Sequence, residues 1–132
     1  MPAPALTANV LTQGGYQLGL GPSSALTEPY ELYVPLTGFS IAPQSQMVIL
    51  NPAGTLATGT ITMPTNPTDG QKLVIMSTQT QTALTLTPGS GDSVNTGTTA
   101  LVANTPVVYR YSLNGAIGTS GTNARTWFKV NV

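Results

Sequence analysis

Apolar and polar positions alternate most clearly across the stretch from Thr60 to Met76. Ile61 and Met63 alternate with Thr60 and Thr62, the period that lines up one face of a pleated strand, and Leu73 and Ile75 take up the same spacing further on. Between the two runs, Pro64 and Pro67 fix φ and remove backbone donors, while Asp69-Gly70 supplies a position tolerant of positive φ. The pattern predicts strand, turn, strand.

The same reading extends along the chain. Leu32 and Val34 predict a strand closed by Pro35, and Met47-Val48-Ile49-Leu50 is a continuous apolar run, as in a strand buried on both faces or packed at a subunit contact. From Leu56 onward, short alternating runs recur at Leu56–Met63, Lys72–Ser77, Ala83–Thr87, around Val94, at Thr98–Val102, Val107–Leu113 and Thr126–Val132. Spacings of roughly 8–12 residues with turn residues between them point to an all-β protein. The expected architecture is an antiparallel β-sandwich or jelly-roll-like barrel with an extended N-terminal arm. Val107, Tyr109 and Tyr111 share one face, and Trp127 lies opposite Phe128, which makes these the expected core strands. The glycine-rich stretch from Asn114 to Ala124 reads as an exposed hairpin connection. Residues 36–46 read as a connector. No period of about 20–50 residues recurs, so a single unit is expected rather than a solenoid.

Two regions divide the chain: residues 1–46, an arm or strand region, and residues 47–132, the β domain. The arm carries Leu6, Val10, Leu11, Tyr16, Leu18 and Leu20 among small residues and glycines. These either complete the domain's own core or bind a neighbouring subunit. Together with Met47, Val48, Ile49 and Leu50 they are the candidate contact residues.

Charge changes the picture mainly by its scarcity. Only 6% of residues are charged, four basic against four acidic, where about 25% is usual. No cluster of Lys and Arg exists to neutralise phosphates or to hold anionic lipid, so neither nucleic acid nor membrane is an expected partner. A nearly uncharged β surface invites pairing between edges, and a symmetric homo-oligomer that covers them is expected. The N-terminus has no basic segment followed by an apolar run, which is consistent with synthesis and first use inside a cell.

Candidate chemistry is sparse. Without cysteine or histidine, disulfides, thiolate metal sites and an ordinary Ser-His-Asp triad are unavailable to the chain, so no metal, cofactor or enzymatic activity is expected. Glu28 and Glu31 are the closest carboxylates in sequence, but Pro29 between them suits an irregular strand entry better than acid/base catalysis. Gly89-Ser90-Gly91-Asp92-Ser93 reads as a loop tip, one carboxylate being too few for calcium. Arg110 and Arg125 suit surface pairing. Tyr109 and Trp127 have rings that suit a sugar platform, but their apolar setting favours the core.

The run from Asn51 to Pro64, Asp69-Gly70-Gln71, the run from Ser77 to Leu86, Tyr109-Arg110-Tyr111 and Thr126-Trp127-Phe128 together resemble a β module of tailed-bacteriophage structural proteins: capsid decoration (cement) proteins, head-fibre proteins and tail-fibre modules. The resemblance covers roughly residues 50–132. It implies a β-rich virion-surface domain, often trimeric, made in the host cytoplasm, that binds the major capsid protein on the outside of a phage head and stabilises the shell. On this view the candidate contact residues meet the shell or sister subunits. The alternative is a tail-fibre or receptor module that binds glycans through rings between Tyr109 and Phe128. Exposure of those rings favours that alternative, and their burial removes its binding surface.

Overall fold

The computed structural model describes residues 29–119 and 121–131. These form nine strands: β1 (Tyr30–Tyr33), β2 (Phe39–Ile41), β3 (Met47–Leu50), β4 (Leu56–Thr62), β5 (Lys72–Ser77), β6 (Gln81–Thr87), β7 (Ser93–Asn95), β8 (Val107–Ser112) and β9 (Thr126–Val130). The described residues contain no helix, so the all-β class holds.

The strands divide into a six-stranded sheet in the order β1-β3-β5-β8-β9-β7 and a three-stranded sheet, β2-β4-β6. The chain alternates between them. β1, β3 and β5 run parallel to one another in the first sheet, and β2, β4 and β6 run parallel in the second. The first six strands therefore form a coil that visits each sheet in turn. Only β5–β8 and β8–β9 are antiparallel, and β7 lies parallel to β9 at the far edge.

This corrects the expectation of antiparallel connectivity and of a non-coiling chain. An alternating strand looks the same in sequence whether the following turn folds it onto its neighbour or carries it to the opposite sheet. The Pro64–Gln71 segment takes the second course, since β4 and β5 lie in different sheets. Its turn chemistry is nevertheless as expected. Gly70 has φ 81°, Gln71 N–H donates to Thr68 O at 2.9 Å, and the turn docks on β8 through Gly70 N–H to Tyr111 O at 2.7 Å and Tyr111 N–H to Gln71 O at 2.9 Å. The coil also explains the missing period. Tyr30 pairs with Met47 but Met47 pairs with Val74, so successive rungs differ greatly in length.

Two further boundaries shift. The connector expected at residues 36–46 contains β2, whose Phe39 and Ile41 pack against the core. Since β1 pairs with β3 and β2 with β4, residues 30–41 belong to the same folded unit as the domain expected to start at residue 47. The strand expected at Thr98–Val102 is reduced to a bridge between Gln81 and Leu101, supported by Leu84 N–H to Thr99 O at 2.8 Å. That segment lies along β6 and satisfies amides at a sheet edge that would otherwise invite pairing.

Both sheets contribute to one core. Val48, Leu50, Leu73, Ile75, Tyr109, Tyr111 and Trp127 enter it from the larger sheet, and Ile61 and Leu84 from the smaller. The Tyr111 and Trp127 rings meet at 5.1 Å with planes tilted by 55°, a favourable edge-on arrangement. Tyr109 keeps its hydroxyl satisfied inside, against Thr98 Oγ1 at 2.8 Å and Thr96 O at 3.0 Å. Gly59 is buried because the Phe39 ring, in register with it on β2, lies where a side chain would stand.

A methyl group at Gly59 would overlap that ring, so Gly59→Ala is expected to lower unfolding stability by about 1–3 kcal/mol, the usual cost of overpacking. In urea denaturation, the further change Phe39→Ala in the Gly59→Ala background should cost less than Phe39→Ala alone. Equal costs would show that the two residues do not share the space.

Candidate functional site

The ionisable groups are few, and they hold connections together. The Glu31 carboxylate, on β1, accepts the Tyr33 hydroxyl through Oε1, and through Oε2 it accepts the backbone N–H groups of Gln44 and Ser45, both at 2.8 Å. It thereby pins the chain just before β3. The Tyr33 hydroxyl, aided by the two amides and opposed by partial burial, lowers the Glu31 pKa. Burial, reinforced by the neighbouring carboxylate, pushes Tyr33 up to about 12. A carboxyl held ionised in this way is poorly suited to donate a proton at neutral pH. Glu28, its expected companion, lies outside the described residues.

The Asp92 side chain is only 2% exposed. It receives the Arg125 guanidinium at 2.8 Å and the Tyr111 hydroxyl at 2.8 Å, while Arg125 also donates to Gly91 O and Ser90 O at 3.0 and 3.1 Å. The Gly89–Ser93 stretch is thus a clamped loop. Burial, with Asp92 adding to it, raises the Tyr111 pKa. Asp69 accepts Leu113 N–H at 2.9 Å and Arg110 donates to Gly70 O at 3.0 Å, fastening the β4–β5 turn to the end of β8. Among the described residues no group of three His, Cys, Asp or Glu side chains converges as metal ligands would. A shallow cleft of about 190 Å³ on the smaller sheet is lined by Gly38, Phe39, Gly59, Ala83 and the threonines 58, 60 and 85, with no ionisable side chain in its wall.

The candidate contact residues fall into three sets. Leu6, Val10, Leu11, Tyr16, Leu18 and Leu20 lie outside the described residues. Val48 and Leu50 are fully buried in the core, which corrects their assignment to a contact surface: β3 runs between β1 and β5, and this face of it meets the opposite sheet. Met47 and Ile49, on the other face of the same strand, keep partial exposure.

Those two belong to something larger. The strand registers align Tyr30, Met47, Val74, Val108 and Val130 in a row across β1, β3, β5, β8 and β9. A second row aligns Leu32, Ile49 and Met76. Met47, Ile49, Val74, Met76 and Val108 alternate with core residues, and no position in the rows is fully buried: Tyr30 is 61% and Leu32 56% exposed, the others half-buried. The larger sheet is therefore apolar on both faces. On β5, Leu73 and Ile75 mark one apolar face in the sequence, and Val74 and Met76, each one residue further on, mark a second.

The aromatic residues considered for sugar stacking are placed differently. Tyr109, Tyr111 and Trp127 are all buried, so their faces are closed to a glycan, and only Phe128 of that group keeps partial exposure. Comparisons with protein-family models, curated proteins and solved structures return no match.

Glu31 tests the pinning role. Its pKa is lower folded than unfolded, so its contribution is present above pH 4.5 and is lost as pH falls through the depressed folded value. Glu31→Gln is expected to lower stability at pH 7 by about 1–2 kcal/mol. Denaturation curves of the variant and the parent should converge in acid; a difference that stays constant with pH would contradict the role.

Proposed function

We propose that this chain is a structural virion protein, a capsid decoration protein that binds the outside of a phage head as a homo-oligomer and stabilises the shell. The observation that carries the reading is the apolar outer face of the larger sheet. A protein that works by lying against other subunits needs broad, largely neutral contact area, and the described residues present that area while their carboxylates and arginines fasten loops. The resemblance of residues 50–132 to phage head and fibre modules points the same way.

In this reading the apolar residues of the N-terminal segment, Leu6 to Leu20, meet the major capsid protein. The first described strand after it in sequence, β1, is an edge strand of the larger sheet. Binding across neighbouring shell subunits stabilises the closed shell by mass action, because the ligand favours the assembled state over the open one. The burial of Tyr109, Tyr111 and Trp127 weighs against the glycan-binding alternative.

Shells of the matching phage, stripped of the protein and mixed with the purified chain, provide the test. The protein is expected to pellet with them, and to do so equally well from about 0.05 to 0.5 M salt, since screening acts on charges and this contact has almost none. Leu18→Asp should abolish pelleting. Binding that collapses with salt, or binding to host cells with none to shells, would contradict decoration.

A further inference from the structure

We infer that the outer face of the six-stranded sheet is the surface through which copies of this chain associate, each copy presenting the same rows to its neighbours about a symmetry axis. This deepens the structural reading above and rests on it for the homo-oligomer, but it assigns a surface that the reading itself leaves open.

The two rows leave on the order of 500 Å² of apolar surface open, at the large end of the roughly 300–600 Å² that a free-standing protein shows in its largest patch. Val34 and Leu36, 71% and 80% exposed, follow directly past the end of β1. The rows alone supply more than half of the ~800 Å² that each partner gives to a stable interface. The rows contain no ionisable group apart from the Tyr30 phenol. Lys72 and Arg110 stand side by side in the next row on the same face, two residues along β5 and β8 from Val74 and Val108, with Phe128 beside Arg110.

That composition selects the occupant. A nucleic acid or an anionic lipid surface needs a broad basic field, where this face has the Lys72 and Arg110 pair, and a glycan needs several hydrogen-bonding groups beside a ring, where the rows offer the Tyr30 hydroxyl. What fits a largely apolar sheet face with so few charges is another of the same kind, stacked at the usual separation of about 10 Å between facing sheets. The six residues at the centre of the rows already lie side by side in the folded chain, so association needs no rearrangement of the backbone.

The test measures native mass across a concentration series for the full chain and for Ile49→Lys, whose substitution sits centrally in the face and points away from the core. The parent is expected to run at a multiple of the chain mass at about 10 µM, and the variant as a single chain with an unchanged circular-dichroism spectrum. Because the chain has no cysteine, an introduced thiol reports directly even if Ile49→Lys fails to fold. Val108→Cys should be joined between copies by a short bis-maleimide, while Ile117→Cys, wholly exposed on the β8–β9 loop, should not. A monomeric parent, an undiminished mass for Ile49→Lys, or equal joining at both thiols would overturn the inference. Shell binding separates the two ideas: an oligomer that ignores shells removes the decoration reading alone, and a monomer that pellets with shells removes this inference alone.

Discussion

Burial of apolar side chains from two sheets in one shared core is the constraint on which the rest of the molecule depends. Neither sheet could stand alone. A three-stranded parallel sheet has few pairing interactions and no protected face, and the larger sheet needs one face covered to fix its register. Trp127, Tyr109 and Tyr111 fill the space from β8 and β9, while Ile61 and Leu84 close it from the other side. Because the chain crosses from sheet to sheet after almost every strand, each crossing contributes to the same core, and the parallel pairing follows from the coil.

Parallel pairing by coiling leaves irregular crossings of three to nine residues between strands, and these need partners for their backbone groups. The chain meets that need with its scarce charges. Glu31 fastens the approach to β3, Asp69 and Arg110 fasten the β4–β5 turn to β8, and Asp92 with Arg125 closes the loop before β7. The described carboxylates are thus structural staples, each engaged with backbone or with a buried hydroxyl. Their engagement also accounts for a surface that is left neutral and suited to contact with other protein.

Much of this was legible in the sequence, and the limits have physical causes. Strand positions on β3, β4, β5, β8 and β9 follow from period-two alternation, and the core roles of Tyr109, Tyr111 and Trp127 follow from which face they share. β2 is not legible because its three residues give only two large apolar positions, Phe39 and Ile41, too short a run for alternation to show. Parallel order escaped because alternation fixes which face a side chain occupies and says nothing of which strand lies beside it. The contact residues were half legible. The run Met47–Leu50 signalled a strand apolar on both faces, yet which parity faces the core depends on the opposite sheet, and so Val48 and Leu50 were assigned outward with Met47 and Ile49.

The larger sheet carries two apolar faces, one sealed within the chain and one that we infer is covered by association between copies. Methionine oxidation reads both at once, since Met63 is fully buried while Met47 and Met76 stand on the outer face. Peroxide oxidation followed residue by residue should leave Met63 slow at every protein concentration, and should slow at Met47 and Met76 as concentration rises and copies associate. Rates at Met47 and Met76 that are independent of concentration, or a Met63 that oxidises as fast as they do, would contradict it.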